Sequence, residues 1–326
     1  MKIFANPNFD FIRWRWYALA LSLVVIAAGA VAIATRGLPL GIDFSGGTIV
    51  VVKFEQPVGE DQVRRAVDAV IAGEEVVQQY GAPADREILI RLPLDAAVEQ
   101  GTALERGAQQ IVAALQKAGL PKFEVLSTEL VGPVIGADLQ QKGIYATIAS
   151  IVGITIYIGF RFRFSFAIGA IAATFHDIFV TLAFLVFFGY DLSLNVVAAI
   201  LTITGYSVND TIVVFDRVRE NMRFMRRGPL DQVVNTSVNQ TLSRTIITAG
   251  TTFLAVLALF IFGGEVLRGF AFTMLVGIIS GTYSTIFIAS AIAIILSRKR
   301  SAAGAAATAP DTTRAPGRKQ RRARAS

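Results

Sequence analysis

Six runs of apolar residues, each long enough to cross about 30 Å of hydrocarbon, constrain this chain more than any other feature. They fall at 17–34, 143–160, 165–189, 192–215, 245–263 and 269–296. Runs of this length exceed what the core helices of a soluble domain need, so the expected fold class is a polytopic α-helical membrane protein with six transmembrane helices. Composition agrees: 17% of residues are charged, where soluble domains carry about 25%. No small-residue cleavage pattern follows the first run, so it is expected to remain as a span and not to be removed as a signal peptide. Cysteine is absent, which excludes disulfide scaffolds, thiol catalysis and zinc–thiolate sites. His176 is the single histidine and excludes sites that need two imidazoles.

An even number of spans puts both termini on one side, and the placement of Lys and Arg chooses the side. The N-terminal stub, the turns after the second and fourth helices and the C-terminal tail hold 19 basic residues against five acidic ones. The long loop 36–142, on the opposite face, holds ten basic and fifteen acidic residues. The positive-inside rule then makes both termini cytoplasmic and exports the loop of this multi-pass chain. The expected organisation is a cytoplasmic segment 1–16, a first helix 17–35, an exported domain 36–142, helices two to six over 143–297, and a basic cytoplasmic tail 298–326.

Hydrophobic periodicity makes the exported loop a domain. Strand-like alternation at 48–55 precedes a helical pattern at 59–72 and a strand at 74–80; a strand at 86–92, a helix at 102–118 and a strand at 122–130 repeat the order. The βαββαβ sequence is that of the ferredoxin-like split βαβ fold, a small α+β unit. The tail is different, being alanine-rich at 302–307, interrupted by Pro310 and Pro316 and crowded with Arg and Lys, a composition that cannot bury enough apolar surface to order itself. It reads as a solvated topology anchor, with anionic lipid as a candidate contact and no specific nucleic-acid partner.

Ionisable groups within spans are the functional candidates, because each costs at least about 2.5–3.5 kcal/mol near the bilayer centre. Asp177 lies near the middle of the third run. Asp210 lies toward one end of the fourth, and Arg244 immediately precedes the fifth. His176 and Asn209 are their polar neighbours. Thr202, Tyr206, Asn209 and Asp210 share one helical face, as do Arg244, Thr248, Thr251 and Thr252 on the next helix, so the two stripes can bring Asp210 to Arg244. A static ion pair and a proton-carrying carboxylate both satisfy that spacing. For His176, a hydrogen-bonded neutral imidazole is the structural alternative. The sixth run carries Gly269, Thr273, Gly277, Gly281 and Ser284, a seam suited to close helix packing.

These residues carry a resemblance. Gly41-Ile42-Asp43-Phe44-Ser45-Gly46-Gly47-Thr48 resembles the motif that opens the exported domain in the SecD/SecF family of protein-export membrane subunits, within the resistance-nodulation-division superfamily. The run from Gly205 through Asn209-Asp210 to Asn221 resembles the fourth-helix signature of the SecF branch, and His176-Asp177, Ser243-Arg244-Thr245 and Phe262-Gly263-Gly264 extend the likeness over about 8–297. The resemblance implies a subunit that pairs with SecD, acts with the SecYEG channel on a translocating preprotein and uses protons as its coupling ion, with no other cofactor and no enzyme activity. It also implies that Asp210 is the proton-carrying aspartate, Arg244 its charged partner, and Asp43, Gly46 and Gly47 the motif after the first helix. The bland reading of that motif is a Gly-Gly turn needing φ > 0.

Two other classes share features with this pattern. A half-transporter of the same superfamily, exporting a lipid or small molecule, would carry the same buried charges, although one modest loop offers no obvious binding pocket. An intramembrane aspartyl protease would use Asp177 and Asp210 as a dyad, but the Gly-x-Gly-Asp pattern is missing and the local run is Ser207-Val208-Asn209-Asp210.

Overall fold

The computed structural model describes residues 7–70, 76–81, 84–92, 102–225 and 228–298. Apart from Arg298, the basic tail lies outside the described residues, as do residues 1–6 of the N-terminal segment. Six helices among the described residues are long and apolar enough to cross a membrane. They are α1 (Arg15–Arg36), α5 (Pro133–Arg161), α6 (Phe164–Phe188), α7 (Leu194–Phe224), α8 (Leu230–Phe262) and α9 (Gly264–Ser284), the last continuing through a π-helical turn at Thr285–Ala289 to Arg298.

Between α1 and α5 the chain forms a short helix α2 (Ile42–Ser45), then β1 (Gly47–Phe54), α3 (Glu60–Asp68), β2 (Val76–Tyr80), β3 (Glu87–Leu92), α4 (Thr102–Lys117) and β4 (Phe123–Val131). The sheet order is β2-β3-β1-β4, antiparallel throughout, which is the split βαβ arrangement expected from the repeated periodicity. Alternation explains its core. Val50, Val52 and Phe54 of β1 and Ile88, Ile90 and Leu92 of β3 bury one face against Val63 and Val67 of α3 and Ile111 and Leu115 of α4.

The helical bundle has an interior and a periphery. α6, α7 and α9 are its buried elements, whereas α5 and α8 expose most of their apolar length. Small residues set the spacing at the centre. A Cβ on Gly277 would lie 2.1 Å from Ile203 Cδ1, and one on Gly281 would lie 2.9 Å from Ser207 Cβ, so the seam expected on the last helix packs against α7. Gly169 of α6 meets the backbone of Ala289 in the same manner, beside the π turn.

Three helices run well past what hydropathy indicates, and α5 is one, since it begins at Pro133, ten residues before the run at 143. α7 continues through its charged end to Phe224, and α8 begins at Leu230, fifteen residues before the apolar run at 245. That polar half of α8 holds the N-terminal segment: Asn235 and Asn239 exchange hydrogen bonds with the backbone of Phe9 and Phe11 at 2.8–3.0 Å. Arg244 therefore sits in the middle of a long helix, not at its start.

Candidate functional site

Asp177 is a heavily bonded side chain at the centre of the bundle. It lies in the middle of α6, is 2% exposed, and accepts four hydrogen bonds. Oδ1 receives Ser280 Oγ at 2.7 Å and faces His176 Nδ1 at 3.0 Å. Oδ2 receives Ser207 Oγ at 2.5 Å and Ser284 Oγ at 2.8 Å. Three helices converge on one carboxyl, and the glycine seam is what lets α9 come close enough for two serines, one turn apart, to reach it. A carboxylate offers about four acceptor positions, all of which are filled here.

The chain of contacts continues through His176. Its Nε2 lies 2.9 Å from Ser22 Oγ of α1, Ser22 Oγ lies 3.2 Å from Tyr283 Oη, and Tyr283 donates to the Ala18 carbonyl at 2.7 Å. Proton counting limits the states. With Nδ1–H on Asp177 and the Tyr283 proton on Ala18, a Ser22 proton directed at Tyr283 requires Nε2 to donate as well, which makes an imidazolium. A Ser22 proton directed at Nε2 instead leaves the ring neutral. The line Asp177–His176–Ser22–Tyr283 thus accommodates one additional proton by rotation of a single hydroxyl.

Asp210 is held differently. Its Oδ1 accepts from Thr245 Oγ1 at 2.7 Å, while Oδ2 is buried with no hydrogen-bond partner among the described residues. The expected contact with Arg244 is not formed within this chain: Thr245, the next residue, takes the place facing Asp210, and the single-residue step of about 100° turns Arg244 outward. Arg244, Asn209, Thr202 and Thr251 are all exposed, so the two polar stripes lie on the outer surface of α7 and α8. Deeper in α7, Thr211 bonds Thr285 at 2.8 Å where the π turn begins.

The motif after α1 forms a joint. Gly46 and Gly47 take φ of +71° and +139°, and a Cβ on Gly47 would fall 2.6 Å from the Leu92 carbonyl oxygen, so both glycines answer to backbone geometry. Asp43 does more than turn the chain. Its Oδ2 accepts from the backbone N–H of Leu194 at 2.8 Å, placing a carboxylate on the N-terminus of α7, the helix that carries Asp210. Around it, Gly41 donates to Leu192, Leu192 donates to Pro39, and Arg91 of β3 pairs with Asp191 at 2.8 Å. Burial holds the Asp191 carboxyl above its ordinary value, and the Arg91 guanidinium only partly offsets this.

Ser22, Ser207, Thr245, Ser280, Tyr283 and Ser284 were not singled out as site residues from sequence. Ser284 was legible only as a small residue of the seam, and its spacing of four from Ser280, facing a midplane aspartate, was the available signal.

Comparison with known proteins agrees with this architecture. Residues 110–299 match the family model "Protein export membrane protein SecD/SecF, C-terminal", and residues 31–58 match "SecD/SecF GG Motif". The chain is 41% identical over 315 residues to protein translocase subunit SecF of Rhodothermus marinus, covering 95% of this chain and all of that one. It is 39% identical to SecF of Escherichia coli O157:H7 over 90% of this chain and 89% of that one. Among solved structures, SecDF of Thermus thermophilus superposes with a TM-score of 0.79 at 37% identity, covering 90% of this chain. A second SecDF structure, in a super-membrane-facing form, gives 0.68 over 93%. The chain spans about two fifths of the length of those SecDF chains, 39% and 40%. With a family model over more than half its length and relatives matched nearly end to end, the chain belongs to the SecF family of protein translocase subunits.

Proposed function

We propose that this chain pairs with SecD and, beside the SecYEG channel, converts proton flow into movement of a preprotein on the exported side of the bacterial inner membrane. Both termini are cytoplasmic in this reading, and the sheet domain contacts the preprotein. The observation that carries it is the incomplete site on α7: a half-buried Asp210 whose buried Oδ2 has no partner among the described residues, beside an outward stripe of Asn209 and Arg244. A polar stripe exposed in a membrane-spanning segment asks for a protein partner, because lipid cannot satisfy it. SecD supplies the missing wall, and Arg244 reaches the carboxylate region from the subunit interface.

Asp210 is the proton carrier in this scheme, and Asp177 with His176 forms the relay line behind it, one turn away through Ser207. Each proton that crosses releases about 2.3 kcal/mol per 100 mV. Asp43 and Arg91 transmit the motion, since they fasten the exported domain to the start of α7 at Leu194 and to the turn before it at Asp191. The exporter reading is not favoured, because the family models and relatives are protein-export subunits.

The test is export of a preprotein into inverted membrane vesicles containing SecD, SecYEG and the ATP-driven motor. Asp210→Asn should leave the subunit inserted and bound to SecD while removing the gradient-dependent part of export. Full gradient-dependent export by that variant would refute the assignment.

A further inference from the structure

A second site lies on the face that carries both termini, away from the aspartates. The turn between α5 and α6 and the charged end of α7 enclose a cavity of about 260 Å³ lined by Arg161, Arg163, Arg219, Phe162, Phe166 and Met222, among others. A larger one of about 580 Å³ opens beside it, shares Arg163, Phe166 and Met222, and reaches Leu230 and Ser297. The three arginines are not equivalent. Arg161 is committed to Asp216, with Nη2 at 2.5 and 2.7 Å from its two oxygens. The side chains of Arg163 and Arg219 are exposed, and neither guanidinium has an ion pair or a hydrogen bond among the described residues. Arg217, on another face of α7, is likewise spent, on Glu220 and Gln240.

The floor beneath these two cations is apolar and rigid. Phe166 and Phe215 are buried and meet edge to face at 5.1 Å, and Phe162 closes on the same ring at 5.9 Å. Toward the outside, Phe160 and Phe164 are 90% and 67% exposed at the ends of their spans, where aromatic side chains mark the membrane–water boundary. Two uncommitted guanidinium groups above an aromatic floor, beside aromatic side chains at the ends of two spans, complement one kind of molecule: a phosphate ester carrying acyl chains. We propose that this cleft binds an anionic phospholipid of the leaflet on the basic face, with its headgroup phosphate on Arg163 and Arg219 and an acyl chain along Phe162 and Phe164. The proposal is independent of the proton-carrier reading and shares no residue with it.

The absence of cysteine makes a local test direct. Phe160→Cys labelled with a fluorophore, in the full chain in bilayer nanodiscs, reports contact with brominated lipids by quenching. Brominated phosphatidylglycerol should be enriched at this position over brominated phosphatidylcholine by about 30-fold, the expectation for two cations at the surface. Arg163→Gln with Arg219→Gln should reduce the enrichment to near unity, whereas Arg13→Gln with Arg298→Gln, an equal loss of charge elsewhere on the same face, should leave it in place. Inorganic phosphate at matched ionic strength should not displace the lipid. Equal quenching by the two lipids, an unchanged enrichment in the Arg163/Arg219 variant, an equal loss in the control variant, or displacement by inorganic phosphate would each overturn the proposal.

Discussion

Replacing the two intramembrane aspartates one at a time should produce opposite kinds of damage, and the structure sets the sizes. Asp177→Ala strips four donors of their acceptor. The three serine hydroxyls can turn back to carbonyls of their own helices, but His176 Nδ1 cannot, and a small buried void remains. With hydrogen bonds to a charged group worth about 1.5–3 kcal/mol each and that partial recovery, a loss of about 3–5 kcal/mol follows. Asp210→Asn keeps the Thr245 bond on Oδ1 and puts an amide where Oδ2 already lacks a partner, so it should cost less than about 1 kcal/mol. Thermal unfolding of the purified variants in mild detergent measures both costs, and gradient-dependent export measures the loss of coupling. Asp177→Ala should fail in stability and yield; Asp210→Asn should be stable and inactive toward the gradient. If Asp210→Asn unfolded as readily as Asp177→Ala, the division into a structural hub and an open carrier would be wrong. Arg244→Gln extends the test: because Arg244 is exposed within this chain, it should leave the isolated subunit's melting temperature unchanged and act only when SecD is present.

Three further outcomes are expected. Single cysteines at Ser127 and Ser301, treated with an impermeant maleimide in intact cells, should react at 127 and not at 301; the reverse pattern would invert the topology. Asp43→Ala removes the carboxylate from the first turn of α7 and should lower stability by about 1 kcal/mol, with protease sensitivity rising in the 36–46 segment as the check. Asp191 titrates above its ordinary 3.8, so the folded chain holds this proton more tightly than the unfolded one, and acidification from neutrality toward that value should favour folding through this group. The melting temperature of the native chain should accordingly gain on that of Asp191→Asn as pH falls, and a constant difference across that window would contradict the burial argument.

The spans and the sheet domain were legible because both rest on periodicity: long apolar runs for lipid, and alternation of strands and helices for a core such as that of Val50, Ile90 and Leu115. The limits of α8 were not, since Asn235, Ser237, Asn239 and Thr241 depress its hydropathy while their side chains are consumed by the N-terminal segment and by neighbouring turns. In the site, the spacing put Arg244 on a stripe that could meet Asp210; in the long helix Thr245 has the inward position and Arg244 is exposed. The serine cage of Asp177 was hidden for another reason. Ser280 and Ser284 are small, and in a seam of glycines a small residue reads as packing until the carboxyl it faces is known.

The π-helical turn at Thr285–Ala289 makes α9 a helix in two phases. One additional residue per turn advances everything beyond it by about 100° relative to an uninterrupted α-helix. The upper half is keyed to Asp177 through Ser280 and Ser284, while the lower half is keyed to α6 by Ala289 and Ala293 against Gly169. No single straight α-helix of this sequence satisfies both sets of contacts, so the spare residue works as a phase corrector between two locks cut at different angles. Deleting one residue there would keep the chain apolar and helical enough to insert, yet would force it to choose which lock to leave open.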